Sequence, residues 1–520
     1  MSGLPPHPSR DSGPTDPGSP PGETPRTGLA KGAVLLVLLA AGLASPRFVP
    51  YDMDEFVHYL PLGCAAFPLT RAHNLHREAC DAYDLRLPFT SRFLPLRSYL
   101  YIGSLPVAPF YPFWRILRDP VSVRVQGAVF FFLAILLLGR LAHVRLGSVL
   151  AAALVLPVVF FTFLVDTGPV GLSLVLLLGA LLLVERASLE TARRPAILGA
   201  LAGVLLFLGV WCKPVFLWCI PSVALFAGLA LSKLRRRALV ALVPALALPT
   251  LLLGLAEDRS GDRYYEILRL GGASKDTVHA VARRMGELLV KGASVAPRVL
   301  DTPMLPQDVL PAGLVVVLLA LGLRSPKLRG KVSLWLLLAT LTLGATLLTG
   351  SAWWPHHLLF TLAFLLPPLA LVLERGMGTA GRRILLVFLG LYWVLLLPRL
   401  SASAAADESN LAKDRLLAFI RESGLSRTTV QVHTSWGTFY IAHLFGDPAQ
   451  EVLYYRFREW TESPLHLREA RDLAESQGRG ILVLTSRSEA MTDTPLIEGV
   501  LGAPVRRFLF GNWEALEYLR

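Results

Sequence analysis

The chain has 520 residues, of which 53% are hydrophobic and only 17% are charged, and its mean hydropathy is +0.52. A soluble protein of this length would carry far more charge, so the composition excludes a soluble enzyme and indicates a polytopic membrane protein. The net charge of +13 does not indicate a nucleic-acid partner, because the basic residues cluster in short loops between apolar segments and no nucleic-acid-binding motif is present.

The first residues form a polar tail before the first membrane segment. Residues 1–28 are rich in Pro, Gly and Ser and have almost no large apolar side chains. Such a segment cannot bury a core, so we expect a disordered tail. The apolar segment 30–48 has no clear small-residue cleavage site, so we expect it to be retained as a membrane span.

About eleven stretches are long and apolar enough to cross a bilayer as helices. They lie near residues 30–48, 122–141, 147–165, 168–185, 196–212, 214–231, 237–256, 309–323, 332–349, 355–373 and 382–399. The sequence therefore predicts a mostly α-helical membrane domain over residues 29–400. The region 99–118 is apolar but is interrupted by three prolines, which favours a re-entrant or surface helix.

Basic residues alternate along the predicted spans. The loops after the second, fourth, sixth, eighth and tenth spans are short and rich in Lys and Arg, whereas the long loops 49–121 and 257–308 fall on the other side. The positive-inside rule places the basic loops and the N-terminus in the cytoplasm, next to anionic membrane lipids, and the two long loops outside. We expect an integral protein of a bacterial inner (plasma) membrane.

The composition changes after residue 400. TTVQVHTS and RGILVLTS have the character of strands, and HLREARDLAESQG between them has helical spacing. Residues 405–520 are therefore predicted to form a small α/β domain on the external (periplasmic) side of the membrane. Its glycines do not form a phosphate-binding motif, so we interpret the domain as a structural or acceptor-positioning lid rather than as an independent enzyme.

An acidic pair follows the first predicted span. Asp54 and Glu55 lie in YDMDEFVHY, and carboxylates near a hydrocarbon boundary are usually retained for function. Asp54 is a candidate catalytic base, and Glu55 is a candidate to assist it or to bind a cation. His58 lies one helical turn after Asp54 and is a candidate substrate contact. The structural alternative is a helix cap or a solvated pair.

Three further candidates for substrate binding lie at the predicted external ends of spans. Arg124 stands inside an apolar run and requires a carboxylate or a phosphate as partner. Asp166, in FLVDTGPVGLS, is a candidate substrate contact or a cap for the helix that follows. Lys213, in WCKPVF, is placed to bind a phosphate or to snorkel to the membrane interface.

The remaining candidates lie in external segments. Tyr264, in the loop 257–308, is a weaker candidate to contact substrate. His356 and His357 follow Trp353 and Trp354 at the start of the tenth span, where they either contact phosphate or sugar or supply interfacial polarity. No His cluster has the spacing of a structural zinc site. The sequence leaves a requirement for a divalent cation (Mg²⁺ or Mn²⁺) open.

The assembled pattern resembles a known superfamily over about residues 30–400. DEFVHY, YIGSLPVAPFYPFWRILRDPVSVRVQGAVFFFL, DTGPVGLSLVLLLGALLLVERA, GALAGVLLFLGVWCKPVFLWCIPSVAL and HHLLFTLAFLLPPLAL are similar, in order and spacing, to segments of the C superfamily (GT-C) of polyprenyl-phosphate-sugar-dependent glycosyltransferases. The protein O-mannosyltransferases and the lipid A aminoarabinose transferases are the most similar families. The chain departs from their pattern at His356-His357, where Arg-Tyr is common.

The resemblance implies an activity. In that superfamily the first-loop Asp serves as catalytic base or orients the acceptor, a role that corresponds here to Asp54 or Glu55. The cations that contact the lipid phosphate correspond to Lys213 and Arg124. The implied partners are a polyprenyl-phosphate-linked sugar, the membrane lipids and an acceptor that is a protein, a lipid or a glycan.

Three alternatives remain from the residues alone. One is a non-catalytic envelope assembly protein, for which Asp54 would be dispensable. A transporter or flippase for lipid-linked glycans also carries charges in its spans, but it usually has internal repeats and mid-span charges, and we detect neither pattern. A polymerase or ligase of lipid-linked glycans would use a similar lipid substrate on a different fold, and the early acidic pair argues against it.

Overall fold

The computed structural model describes residues 25–51, 55–59, 62, 84–86, 93–95, 97–99, 102–166, 170–189, 192–231, 236–259, 310–348, 358–406, 408–434, 436–446, 451–454, 463–510 and 513–518. Over these residues the chain is mostly helical, with two antiparallel hairpins in the first long loop and one larger sheet near the C-terminus. The predicted fold class is therefore confirmed.

The membrane part is a bundle of helices that we number in chain order. They are α1 (Pro25–Ala44), α2 (Val107–Leu117), α3 (Val121–Ala142), α4 (Leu146–Val155), α5 (Pro157–Val165), α6 (Val170–Ser188), α7 (Pro195–Cys212), α8 (Ile220–Leu231), α9 (Arg236–Arg259), α10 (Leu310–Arg324), α11 (Arg329–Leu348), α12 (Leu359–Ala363), α13 (Leu366–Leu371) and α14 (Thr379–Ala406). The first-loop hairpins pair β1 (Asp84–Arg86) with β2 (Phe93–Pro95) and β3 (Arg97–Tyr99) with β4 (Ile102–Gly103). The loop 257–308 lies almost wholly outside the described residues.

The eleven predicted spans all coincide with apolar helices, but not all of these are long and straight. Eight helices of the described chain are long and apolar enough to cross a membrane. The segments 214–231 and 309–323 correspond to the shorter helices Pro214–Ala230 and Leu310–Arg324. The chain is thus an integral membrane protein. Its apolar helices lie where the sequence predicts spans, but some of them are shorter than predicted.

The third predicted span is broken. Helices α4 and α5 meet at an angle of 106°, so the expectation of one helix over 147–165 is corrected. The break falls at Pro157, which has no N–H to continue the hydrogen bonds of α4 and whose fixed φ suits the first position of a new helix. Helix α5 ends at Val165, so the bend sets the position of the next residue, Asp166.

The loops at one end of the bundle bind each other. The backbone N–H of Arg145 and the hydroxyl of Ser148 both donate to Oε2 of Glu374, at 2.6 and 2.8 Å. Arg375 donates to the carbonyl of His143, whose ring nitrogen lies 3.0 Å from Glu185. Three of the loops predicted to share a membrane side therefore lie together, and we call this the basic-loop end. Arg124 lies at the opposite end of α3.

Small residues allow two neighbouring helices to cross closely. Gly199 and Gly203, four residues apart on α7, face α9, and a Cβ built on Gly199 would lie 2.1 Å from the carbonyl oxygen of Ala238. A Cβ on Gly203 would lie 2.5 Å from the carbonyl of Leu242. Such close contact supplies van der Waals attraction between helices where lipid removes the hydrophobic driving force.

The C-terminal part is a three-layer α/β unit. It contains α15 (Glu408–Glu422), α16 (Leu425–Thr428), β5 (Thr429–His433), α17 (Trp436–Phe445), β6 (Glu451–Tyr454), α18 (Ser463–Ser476), β7 (Gly480–Ser486), α19 (Arg487–Leu501), β8 (Arg506–Phe510) and β9 (Trp513–Tyr518). The strand order is β6-β5-β7-β9-β8. Strand β5 is parallel to β6 and β7, whereas β9 is antiparallel to β7 and β8.

The alternating side chains of β7 explain why helices cover both faces of this sheet. Ile481 and Val483 are buried with residues of α18 and α19, whereas Leu482 and Leu484 are buried with residues of α15 and α17. A central strand with apolar side chains on both faces requires a layer of helices on each. The sequence predicted β5, β7 and α18, and it missed α17, α19 and the other three strands.

The close crossing of α7 and α9 can be tested with one methyl group. Gly199→Ala places that group against the backbone of α9, and overpacking of this kind costs about 1–3 kcal/mol. We expect a lower midpoint temperature of unfolding in detergent. Gly228→Ala is the matched control, since a Cβ there has no neighbour within 4 Å. Equal midpoints for the two variants would contradict the crossing.

Candidate functional site

A buried ion pair joins the first loop to the start of α3. Nε and Nη2 of Arg124 donate to Oε2 and Oε1 of Glu55 at 2.5 and 2.7 Å. Both side chains have no exposed surface. Two parallel hydrogen bonds between a guanidinium and a carboxylate fix the pair in one geometry as well as neutralising its charge.

The other donors of Arg124 bind the chain that leaves the first span. Nη1 donates to the hydroxyl of Ser45 at 3.2 Å, and Nη2 donates to the carbonyls of Pro50 at 3.0 Å and Val49 at 3.4 Å. Ser45 in turn donates to the carbonyl of Gly42, in the last turn of α1. Of the two partners that the sequence allowed for Arg124, the structure shows the carboxylate.

This arrangement bears on the predicted role of Glu55. Both of its oxygens accept hydrogen bonds from Arg124, and a carboxylate held in this way is a poor base because protonation would break the pair. Its geometry suits a positioning role for the segment that also carries Asp54. Its catalytic role stays a prediction.

Aromatic rings surround the pair. The Tyr51 ring centroid lies 5.0 Å from Cζ of Arg124, and burial raises the pKa of Tyr51 above its ordinary value. Tyr59 stacks on Phe110 at 3.8 Å, and its hydroxyl donates to Oε1 of Gln126 at 3.0 Å. Because α3 carries both Gln126 and Arg124, it holds residues 51–59, which we call the first-loop segment, at Tyr59 and at Glu55. His58 is fully buried beside Tyr59.

Asp166 occupies a constrained position at the end of α5. It has φ of 46°, in the left-handed region that Asp tolerates better than most residues. Oδ1 accepts the backbone N–H of Gly171 at 2.5 Å, so Asp166 caps α6. Among the described residues Oδ2 has no hydrogen-bond partner, although the side chain is buried. The carboxylate therefore both caps a helix and keeps one oxygen for another group.

The charges of two other candidate residues, Glu55 and Lys213, act on the pKa of Asp166. The pKa of Asp166 is raised to about 7, chiefly by burial; the Gly171 hydrogen bond and the Lys213 ammonium lower it, and the Glu55 carboxylate contributes to the rise. Lys213 is 2% exposed at the end of α7. The predicted residues Glu55, Arg124, Asp166 and Lys213 thus lie together at one end of the bundle, which we call the first-loop end.

The structure leaves several predicted residues untested. Asp54, Tyr264, His356 and His357 lie outside the described residues. The described chain contains no group of three or more His, Cys, Asp or Glu side chains that could hold a metal ion. Sequence reasoning also missed Ser45, Gln126 and Tyr59, which are common polar and aromatic types that carry no signal until the fold brings them together.

Comparisons with known proteins give structural matches. No protein-family model and no curated protein matches the chain. The crystal structure of apo ArnT from Cupriavidus metallidurans aligns with a TM-score of 0.60 and 13% identity, over 95% of this chain and 98% of that one. The apo oligosaccharyltransferase of Archaeoglobus fulgidus aligns with a TM-score of 0.42 and 14% identity, over 90% of this chain and 71% of that one.

The match to ArnT identifies the fold. The alignment extends over nearly the whole of both chains. The chain therefore has the fold of ArnT, and this match fits the resemblance to the GT-C superfamily that its motifs indicate. At 13% identity the likeness extends to architecture alone, and the match to the oligosaccharyltransferase adds nothing to it.

The raised pKa of Asp166 predicts a pH dependence of stability. The folded state holds a proton on this carboxyl up to about pH 7, against an ordinary pKa of 3.8. The contribution of Asp166 to stability is therefore fully present below pH 3.8 and is lost as the pH rises through 7. Within that window the free energy of unfolding falls by up to about 1.4 kcal/mol per pH unit.

Asp166→Asn removes the titration and keeps an oxygen for the Gly171 N–H. We expect the unfolding midpoint of this variant to depend less on pH between 4 and 8 than that of the wild type. Asp119→Asn is the control, because Asp119 also accepts a backbone N–H, from Val121 at 2.9 Å, but is only half-buried. If the unfolding midpoint of Asp166→Asn depends on pH as strongly as that of the wild type, the raised pKa of Asp166 is contradicted.

Proposed function

We propose that the chain is a membrane glycosyltransferase that moves a sugar from a polyprenyl-phosphate donor to an acceptor on the external face of the membrane. The observation that carries the proposal is the meeting of buried Asp166 and Lys213 with the Glu55–Arg124 pair at the first-loop end. Ionisable groups are expensive at membrane depth and mark functional sites. The fold, shared with ArnT, and the resemblance of the motifs to polyprenyl-phosphate-sugar-dependent glycosyltransferases favour sugar transfer among the possible functions.

Lys213 is the proposed phosphate ligand. It is buried at the junction of α7 and the 3₁₀ turn Pro214–Cys219, where its ammonium influences Asp166. A cation at this position attracts the phosphate of a lipid whose chain lies in the bilayer. As the sugar leaves, the phosphate gains negative charge, which the ammonium stabilises in an environment poor in water.

Asp166 is the proposed substrate contact beside it. Oδ2 has no partner among the described residues, and a pKa near 7 allows the carboxyl to accept or donate a hydrogen bond at neutral pH. We propose that it binds a hydroxyl group of the donor sugar or the acceptor. His58, Tyr264, His356 and His357 are further proposed contacts.

Asp54 is the proposed base. The acceptor hydroxyl or amine attacks the anomeric carbon, the bond from that carbon to the phosphate oxygen breaks, and the configuration inverts. The polyprenyl phosphate leaves with the bonding electron pair, and Asp54 takes the acceptor proton. Arg124 and Glu55 position this segment.

The alternative is a transporter or flippase of lipid-linked glycans. The buried charges of the site lie at helix ends, with Arg124 in the first turn of α3 and Lys213 directly after α7, rather than at the midplane where transporters bind their substrates. This placement favours an enzyme that works at the membrane surface. We place the first-loop end and the C-terminal unit on the external side of a bacterial plasma membrane.

Loss of the base should abolish transfer without loss of binding. In membranes supplied with labelled polyprenyl-phosphate sugars, we expect Asp54→Asn to lower the transfer rate by about 10²–10⁴-fold while the donor still binds. Asp52→Asn is the matched control, since it removes a carboxylate two residues away in the same segment. Full activity of Asp54→Asn would refute the site, and a wild type inactive with every donor would favour transport.

A further inference from the structure

The C-terminal unit packs directly on the first-loop segment. One buried cluster contains aromatic and aliphatic residues of both parts, namely Tyr51, Phe56, Tyr59, Leu62, Phe110, Trp114, Val123, Leu417, Phe439, Tyr440, Ile441, Leu444 and Phe445. The last five residues belong to α17, and Leu417 lies on α15. The cluster joins segments more than 300 residues apart in the chain.

Helix α17 lies between the sheet and the first loop. Ala442 is buried with β7 and β9 residues on one side. On the other side the Phe445 ring meets Phe56 edge-on, with centroids 5.8 Å apart. Phe56 directly follows Glu55, whose carboxylate binds Arg124. A shift of α17 would therefore be transmitted to Glu55 through the contact between the Phe445 and Phe56 rings.

Two polar contacts hold the same interface. Nε1 of Trp114, on α2, donates to the carbonyl of Leu444 at 2.7 Å in a buried hydrogen bond. Arg421, in the last turn of α15, donates to the carbonyl of Phe445 at 2.9 and 2.6 Å and to the carbonyl of Arg118 at 2.5 Å. Both side chains thus connect the C-terminal end of α2 with the C-terminal end of α17.

The guanidinium of Arg421 suits the position where two helices end. Phe445 is the last residue of α17, and Arg118 is the left-handed residue that terminates α2. Carbonyl groups at helix C-termini have no partner within the helix and carry partial negative charge. One planar cation with several N–H donors binds both ends at once, which a lysine ammonium would do less well.

We infer that Arg421 and Trp114 are positioning residues that join the C-terminal unit to α2. Because Phe445 and Phe110 of these two elements pack on Phe56 and Tyr59, the joined unit fixes the position of Glu55 rather than only receiving the acceptor. The inference deepens the proposed function, and its claim about catalysis rests on that function. The packing of the C-terminal unit on the first loop does not depend on the proposed function. With the fastening loosened, the segment samples more conformations, and fewer enzyme molecules hold the base in reacting geometry.

The test compares Arg421→Ala and Trp114→Phe with the wild-type full-length chain in lipid nanodiscs. Hydrogen exchange without substrate measures the opening of residues 51–59. We expect exchange there to become about fivefold faster in each variant, the factor that corresponds to one net hydrogen bond, while exchange in β5 and β7 stays unchanged. Arg468→Ala, an exposed arginine on α18, is the matched control and should behave as wild type.

Transfer assays then separate positioning from mere stability. We expect kcat to fall in both variants with little change in the KM for the donor, and Arg421→Lys to recover part of the loss. Unchanged exchange over 51–59 would overturn the fastening. Faster exchange with unchanged kcat would overturn the positioning role. Because exchange is measured without substrate, it stays decisive even if the wild type transfers no sugar.

Discussion

The first-loop end depends on one constraint, which is that the buried guanidinium of Arg124 must have a carboxylate. An isolated charge among apolar helices would cost several kcal/mol, so Arg124 and Glu55 form a unit, and removal of either partner typically costs about 3–5 kcal/mol. The same guanidinium binds Ser45 and the carbonyls of Val49 and Pro50. One side chain of α3 thereby holds the exit of α1 and the start of the first loop.

The remaining polar groups are arranged around this fixed segment. The break between α4 and α5 brings Asp166 beside it, and the end of α7 brings Lys213. The C-terminal unit covers the segment through α17, with Phe445 against Phe56. At the basic-loop end, Glu374 binds loop groups through exposed or half-buried contacts, which are weaker than buried ones. The buried charged groups of the described bundle therefore lie at the first-loop end, whereas the basic-loop end is held by exposed or half-buried contacts.

The sequence predicted most of this architecture, because hydropathy and the positions of Lys and Arg depend on local composition. It predicted Glu55, Arg124, Asp166 and Lys213 as candidates from their cost at membrane depth, and the structure brings these four together. It could not predict that Glu55 and Arg124 bind each other, since a carboxylate and a phosphate serve an arginine equally well. Nor could it predict α17 against the first loop, because that contact joins apolar residues that any core would accept. The prediction of one helix over 147–165 was wrong, because a hydropathy pattern does not show a bend at Pro157.

The most direct measurement is a double-mutant cycle on the pair, with Glu55→Gln, Arg124→Met and the double variant compared by thermal unfolding in nanodiscs. Our account predicts that each single variant is strongly destabilised, because it leaves a buried group without its partner. The double variant should lose much less than the two losses combined, with a coupling energy of about 2 kcal/mol or more. Additive losses would contradict the account, since they would mean that the two side chains do not act as one unit.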